Sequence, residues 1–97
     1  MRQRYLLAYD VADPKRLRRV FKAMKGFGDA LQYSVFRCDL SAVEKFKLKG
    51  VLLEIIKEDE DRVMIVDLGP AGGRGEIAFE YLGVRDEIPV EHDAFIV

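Results

Sequence analysis

From Arg4 to Val11 the chain reads RYLLAYDV, a run of β-favouring residues with charge before it and Asp13-Pro14 after it, which predicts a strand. Alternation places Tyr5, Leu7 and Tyr9 on one face and Leu6, Ala8 and Asp10 on the other. Both faces are mostly apolar, the pattern of a central strand covered on both sides. Asp13 and Pro14 then open a helix, because an aspartate side chain accepts from free amides at an N-cap and proline is preorganised for the first helical position. Leu17, Val20, Phe21 and Met24 recur at i, i+3, i+4 and i+7. They make one apolar stripe on a helix expected to run to Lys25, with Gly26 or Gly28 ending it.

Ala30 to Leu40 (ALQYSVFRCDL) is strand-like again, with Leu31, Tyr33 and Val35 alternating against Gln32, Ser34 and Phe36, as one bent strand or as two. Ser41 and Glu44 form the S-x-x-E capping box of a second helix, expected to last to about Lys57. Leu48, Leu52 and Ile55 make its core stripe. Phe46 and Leu53 fall roughly opposite, so this helix either sits deep or offers apolar surface to another protein. An acidic turn, Glu58 to Asp61, precedes a strand over Val63 to Leu68. The order predicts a ferredoxin-like α+β fold, a βαββαβ sandwich with both helices on one face of an antiparallel sheet. Gly69 to Gly75 (GPAGGRG) reads as a flexible connector and matches neither phosphate-loop pattern. Beyond it Ile77, Phe79 and Tyr81 alternate with Glu76, Ala78 and Glu80 as an extra C-terminal strand. The apolar ending Ala94 to Val97 is expected to pack on the sheet or pair with an edge.

Ninety-seven residues suit one domain, and 49% hydrophobic with 34% charged residues excludes a disordered or fibrous chain. No apolar run approaches the ~20 residues that cross a bilayer, and Met-Arg-Gln-Arg leads into a short strand rather than a signal-peptide core. A cytoplasmic protein with no membrane partner is expected. The one cysteine, Cys38, excludes an internal disulfide and a thiolate cluster. The net charge of −1 conceals a strong asymmetry: Met1 to Lys49 holds twelve Lys/Arg against five Asp/Glu, and Gly50 to Val97 four against twelve. A basic surface for a polyanion, with acidic segments facing water or a second partner, follows from it.

Two features carry candidate chemistry. Asp10 sits at the carboxyl end of an otherwise apolar strand, where it is solvated, paired or bound to a metal. Aspartates there also cap turns and helices. One carboxylate is fewer than a hard divalent cation takes, but a two-fold axis would bring two copies of Asp10 to one Mg²⁺. The first helix carries Lys15, Arg16, Arg18, Arg19, Lys22 and Lys25 and no acid, a set expected to track phosphates without reading sequence. Cys38 and His92 lack the spacing of a nucleophilic pair. The cysteine reads as a small buried hydrophobe and His92 as an exposed tail residue.

Tyr9-Asp10-Val11-x-Asp13, the Arg-rich helix after it, Gly28 and then Gln32-Tyr33-Ser34-Val35-Phe36 resemble the CRISPR-associated Cas two family of small spacer-acquisition proteins. The resemblance covers Arg4 to Leu68. It implies a ferredoxin-like fold, a homodimer in which C-terminal strands, here within 76–97, cross to the partner sheet, and association with the CRISPR integrase. It also implies an endonuclease acting on RNA or DNA with Mg²⁺, or Mn²⁺ in its place. Asp10 would then be metal ligand and catalytic residue, and Tyr9, Arg16, Arg18, Arg19 and Phe36 would border the nucleic acid. Where family members commonly carry Arg before the apolar-Gln pair and Glu after the Phe, this chain has Ala30 and Arg37, and Ala30 removes one candidate phosphate contact that the resemblance would imply. Two functions compete: a metal-dependent nuclease, or a non-catalytic scaffold that holds duplex DNA and bridges integrase subunits.

Overall fold

A computed structural model describes residues 1–73 and 79–83. Six elements follow one another: β1 (Gln3–Asp10), α1 (Pro14–Met24), β2 (Asp29–Gln32), β3 (Val35–Leu40), α2 (Ala42–Ile55) and β4 (Arg62–Pro70). The strands form one antiparallel sheet in the order β2-β3-β1-β4. This is the expected ferredoxin-like α+β arrangement. None of the helices among the described residues is long and apolar enough to cross a membrane.

The helix starts are built from local chemistry. The Asp13 carboxylate accepts from Arg16 N at 2.9 Å, with Pro14 at the first helical position. At α2 the capping box closes in both directions: Ser41 Oγ accepts from Glu44 N at 3.2 Å, and Glu44 Oε1 accepts from Ser41 N at 2.8 Å. Arg2 reaches the same Glu44 carboxylate at 2.6 Å. The Ser41 amide, with Arg2 behind it and burial opposing, lowers the Glu44 pKa.

Both helices cover one face of the sheet. Tyr5, Leu7 and Tyr9 of β1 and Phe36, Cys38 and Leu40 of β3 pack there against Val20, Phe21 and Met24 of α1 and Leu48 and Leu52 of α2. Burying a side chain such as Leu7 or Phe36 contributes about 1.5–3 kcal/mol relative to leaving it exposed. Leu17, first in the predicted stripe of α1, is left at the rim of this core, partly exposed. The chain between α1 and β2 passes so close to β3 that a Cβ at Gly28 would overlap the Arg37 carbonyl oxygen and the Cys38 Sγ, and only glycine fits.

Several expectations change. β1 is not covered on both sides: among the described residues no helix lies on the face that carries Leu6, Ala8 and Asp10. Cross-strand pairing adds Val35 of β3 and Met64 and Val66 of β4 to that open face, together with Arg37 and Asp39 of β3, Arg62 of β4 and Arg4 of β1, whose guanidinium pairs with Asp39 at 2.7 Å. The run Ala30 to Leu40 is two strands, broken by a turn at Tyr33 and Ser34, with a register shift between Ala30 and Gln32. β4 extends through Pro70, so Gly69 and Pro70 belong to the strand rather than to a connector. Pro70 pairs with Gln3 past a bulge, and Gly69 takes φ +90°, a conformation glycine adopts without strain. Phe79 to Tyr81, in the expected extra strand, form no strand. Residues 76–78 of that strand, His92 and the ending Ala94 to Val97 lie outside the described residues.

Candidate functional site

Asp10 is the last residue of β1, exposed at the carboxyl end of a strand whose helix-facing side chains are buried. Odd-numbered β1 residues point into the core, so parity directs Asp10 to the open face. Its cross-strand neighbour is Arg62, also exposed, but no ion pair joins them. Among the described residues nothing donates a hydrogen bond to its carboxylate. The capping role open to Asp10 from sequence is filled by Asp13.

The basic helix divides in two. Lys15, Arg19 and Lys22 are exposed and Arg18 half-buried, and no ion pair holds any of the four among the described residues. Arg16 is different. Its Nε donates to Asp61 Oδ2 at 2.8 Å, and its Nη2 donates to Asp61 Oδ1 at 3.1 Å and to Glu60 Oε1 at 3.0 Å. It was expected among the phosphate contacts, yet acids of the turn between α2 and β4 occupy its guanidinium, and its side chain keeps only 17% exposure. The set of unmatched cations on α1 is smaller than the sequence of that helix alone implies.

Tyr9 and Phe36 also depart from expectation. Both lie on the helix-covered face, Phe36 with 0% exposure and Tyr9 with 6%. Their rings stack with centroids 6.2 Å apart, and Phe36 meets Phe21 edge-on at 5.3 Å. Rings sealed in this way offer no face to a nucleobase. The Tyr9 hydroxyl donates to the Tyr33 carbonyl oxygen at 2.5 Å, tying the β2–β3 turn to the end of β1 beside Asp10, and burial raises its pKa. Tyr33, by contrast, is an exposed ring over this end of the sheet.

The family model for CRISPR associated protein Cas2 matches residues 1–72. The chain belongs to the Cas2 family. A Rhodospirillum rubrum protein named CRISPR-associated endoribonuclease Cas2 1 is 43% identical over 96% of this chain and 89% of its own length. One from Halalkalibacterium halodurans named CRISPR-associated endonuclease Cas2 is 33% identical, over 89% and 92% of the two chains. The crystal structure of Streptococcus pyogenes Cas2 superposes with a TM-score of 0.73 at 33% identity, over 82% of this chain and 99% of that one.

For a Cas2-family chain the question is whether these residues suit a divalent cation. Among the described residues no cluster of three or more His, Cys, Asp or Glu forms. Among the described residues Asp10 brings one unpartnered carboxylate to the open sheet face, and a hard cation there needs further oxygen ligands beside it. Sequence reasoning missed Asp61, which looked like one member of an acidic turn. Its position immediately before a strand was the available signal. Its partners, Ala12, Arg16 and Lys57, are remote or backbone groups that no motif displays.

Proposed function

We propose that the chain works in CRISPR adaptation as a homodimer that hydrolyses phosphodiester bonds of RNA or DNA, with Mg²⁺ or Mn²⁺ shared between two copies of Asp10. The observation that carries this reading is Asp10 itself: an exposed carboxylate with no hydrogen bond among the described residues, ending a central strand on a sheet face that no described helix covers and that mixes apolar with charged side chains. A second copy laid on Leu6, Ala8, Val35, Met64 and Val66 would cover that face and bring a second Asp10 to the first. A cation held there would polarise a phosphoryl oxygen and lower the pKa of a bound water. Arg18, Arg19 and Lys22 would hold the phosphates near the site without reading bases. The nuclease names of the relatives support the same reading.

A second function rests on a different surface. Val43, Phe46 and Leu53 share the outer side of α2, with Phe46 79% exposed, and nothing stands within 4 Å of a Cβ added at Gly50 between them. This stripe suits the CRISPR integrase as a docking partner, with apolar anchors supplying the affinity. In that role the dimer bridges integrase subunits and holds duplex DNA on α1. Acids of the second half, Glu80 and also Glu76, which lies outside the described residues, would add charge complementarity to such an interface.

Asp10→Asn preserves the side chain's shape and separates the two functions. The parent should cleave RNA or DNA with Mg²⁺ or Mn²⁺, and cleavage should vanish in EDTA and in the variant while folding and nucleic-acid binding persist. Cleavage that survives either treatment would refute the shared-metal reading. Absence of cleavage from the parent, with integrase-dependent spacer insertion intact in the variant, would leave the scaffold function alone.

A further inference from the structure

We infer that Asp61 is the positioning residue for Asp10, bolting in place the two chain segments that meet at it. The inference deepens the nuclease reading and rests on it. Asp61 is an acid with 0% side-chain exposure in a turn that is otherwise solvated. Such a carboxylate is tolerated only when donors meet its oxygens, and four do. Oδ1 accepts from the Ala12 amide at 2.9 Å and from Arg16 Nη2 at 3.1 Å. Oδ2 accepts from Arg16 Nε at 2.8 Å and from the Lys57 amide at 2.9 Å.

The places those donors come from give the arrangement its meaning. Ala12 stands two residues beyond Asp10, where the chain has left the sheet and no ladder bond fixes it. Asp61 itself immediately precedes Arg62, the cross-strand partner of Asp10. One carboxylate therefore grips the exit from β1 and the entry to β4, and the ends of both strands are set relative to each other. Val11 packs in the core and anchors the inner side of the same loop. Arg16 completes the clamp from α1 and neutralises the buried charge, so Asp61 adds little net negative charge beside Asp10. In this reading Arg16 serves the site through Asp61 rather than by touching phosphate.

Asp61→Asn replaces one accepting oxygen by an amide NH₂, which then faces donors it cannot accept from. Arg16→Lys is the gentler variant, since an ammonium keeps the charge and can hold one carboxylate oxygen. Cleavage kinetics on RNA or DNA, with Mn²⁺ supplied, are compared with hydrogen exchange at the Ala12 amide, at a temperature where each variant is folded. The expected result for Asp61→Asn is faster exchange at Ala12 and a fall in kcat of about tenfold or more, because small misplacements of a reacting group carry losses of that order. KM for the nucleic acid should stay within about twofold, since the phosphate-holding cations are untouched, and Arg16→Lys should fall between parent and Asp61→Asn. A purely structural role predicts lower thermal stability with parental kcat, so parental kcat in every folded variant overturns the inference. If Asp61→Asn does not fold, Arg16→Lys decides by the same criterion. If the parent itself cleaves no better than Asp10→Asn, the nuclease reading fails and the inference falls with it, a result distinct from parental kcat in the clamp variants.

Discussion

Asp10 and Asp61 are chemically identical, and their surroundings give them opposite characters. The first is exposed and unpartnered among the described residues, and the second is sealed under four donors. The hydrogen bond from Arg16, supported by the Lys57 and Ala12 amides and opposed by burial, holds the Asp61 carboxyl well below the usual carboxylate range. Its folded-state pKa is thus lower than its unfolded value of about 3.9. Stability from this group is fully present above that value and is lost as pH falls through the folded pKa. Urea midpoints measured from pH 7 downward should therefore fall in acid, and the fall should be shallower in Asp61→Asn, which has no proton to take up there. An identical pH dependence in the two proteins would show that Asp61 does not contribute in this way. Cys38 has yet another environment: burial, with Asp29 and Asp39 adding, pushes its thiol up to about 12. It carries little thiolate at neutral pH, consistent with a core residue rather than a nucleophile.

At the scale of elements, α1 combines two functions on one turn spacing. Asp13, Val20, Phe21 and Met24 fix where it begins and how it seats, while Arg18, Arg19 and Lys22 stay available to a polyanion. Arg18→Ala with Arg19→Ala should weaken duplex binding and make its log–log salt dependence shallower by up to about 2, one unit for each lost phosphate contact. Thermal stability should change little, because no ion pair among the described residues holds either side chain. Arg16→Ala should do the reverse, lowering stability by leaving Asp61 buried without its cation. Filter binding at several salt concentrations and thermal denaturation of both variants check the division. Equal effects of the two variants on binding would return Arg16 to the phosphate contacts.

At the scale of the whole molecule the decisive feature is a sheet with helices on one face. The opposite face presents Leu6, Ala8, Val35, Met64 and Val66, with Asp10 at its end and the Phe79 ring 6.0 Å from the Arg37 guanidinium carbon near its other strand. These apolar side chains lie among Arg4, Arg37, Asp39 and Arg62, and the proposed dimer would bury them against a second copy. Light scattering should return twice the 11.1 kDa chain mass at micromolar concentration. Met64→Asp, at a half-exposed position that the fold does not bury, should shift the mass toward the monomer while leaving the circular dichroism unchanged. A parent that remains monomeric at every concentration would refute the dimer, and a Met64→Asp protein that remains dimeric would place its interface elsewhere.

Much of this architecture was legible in the sequence because its signals are local. Period-two alternation marked β1, a 3.6-residue stripe marked α1, and Asp13-Pro14 and Ser41-x-x-Glu44 announced the two helix starts through groups only a few residues apart. The isolated acid at the end of β1 and the outward Phe46 and Leu53 were visible for the same reason. Folding decided what depends on remote partners. Alternation could not tell that Tyr9 and Phe36 would be sealed beneath α1, because it assigns a side chain to a face and not what covers that face. Nor could α1, read by itself, show that Arg16 would be taken by an acid forty-five residues away. Likewise β4 ran two residues past its predicted end because Gln3 offered Pro70 a partner and glycine at 69 allowed the bulge. Helix periodicity, caps and charge are encoded within a turn or two of chain, whereas burial and ion pairing are settled only when segments far apart in sequence meet.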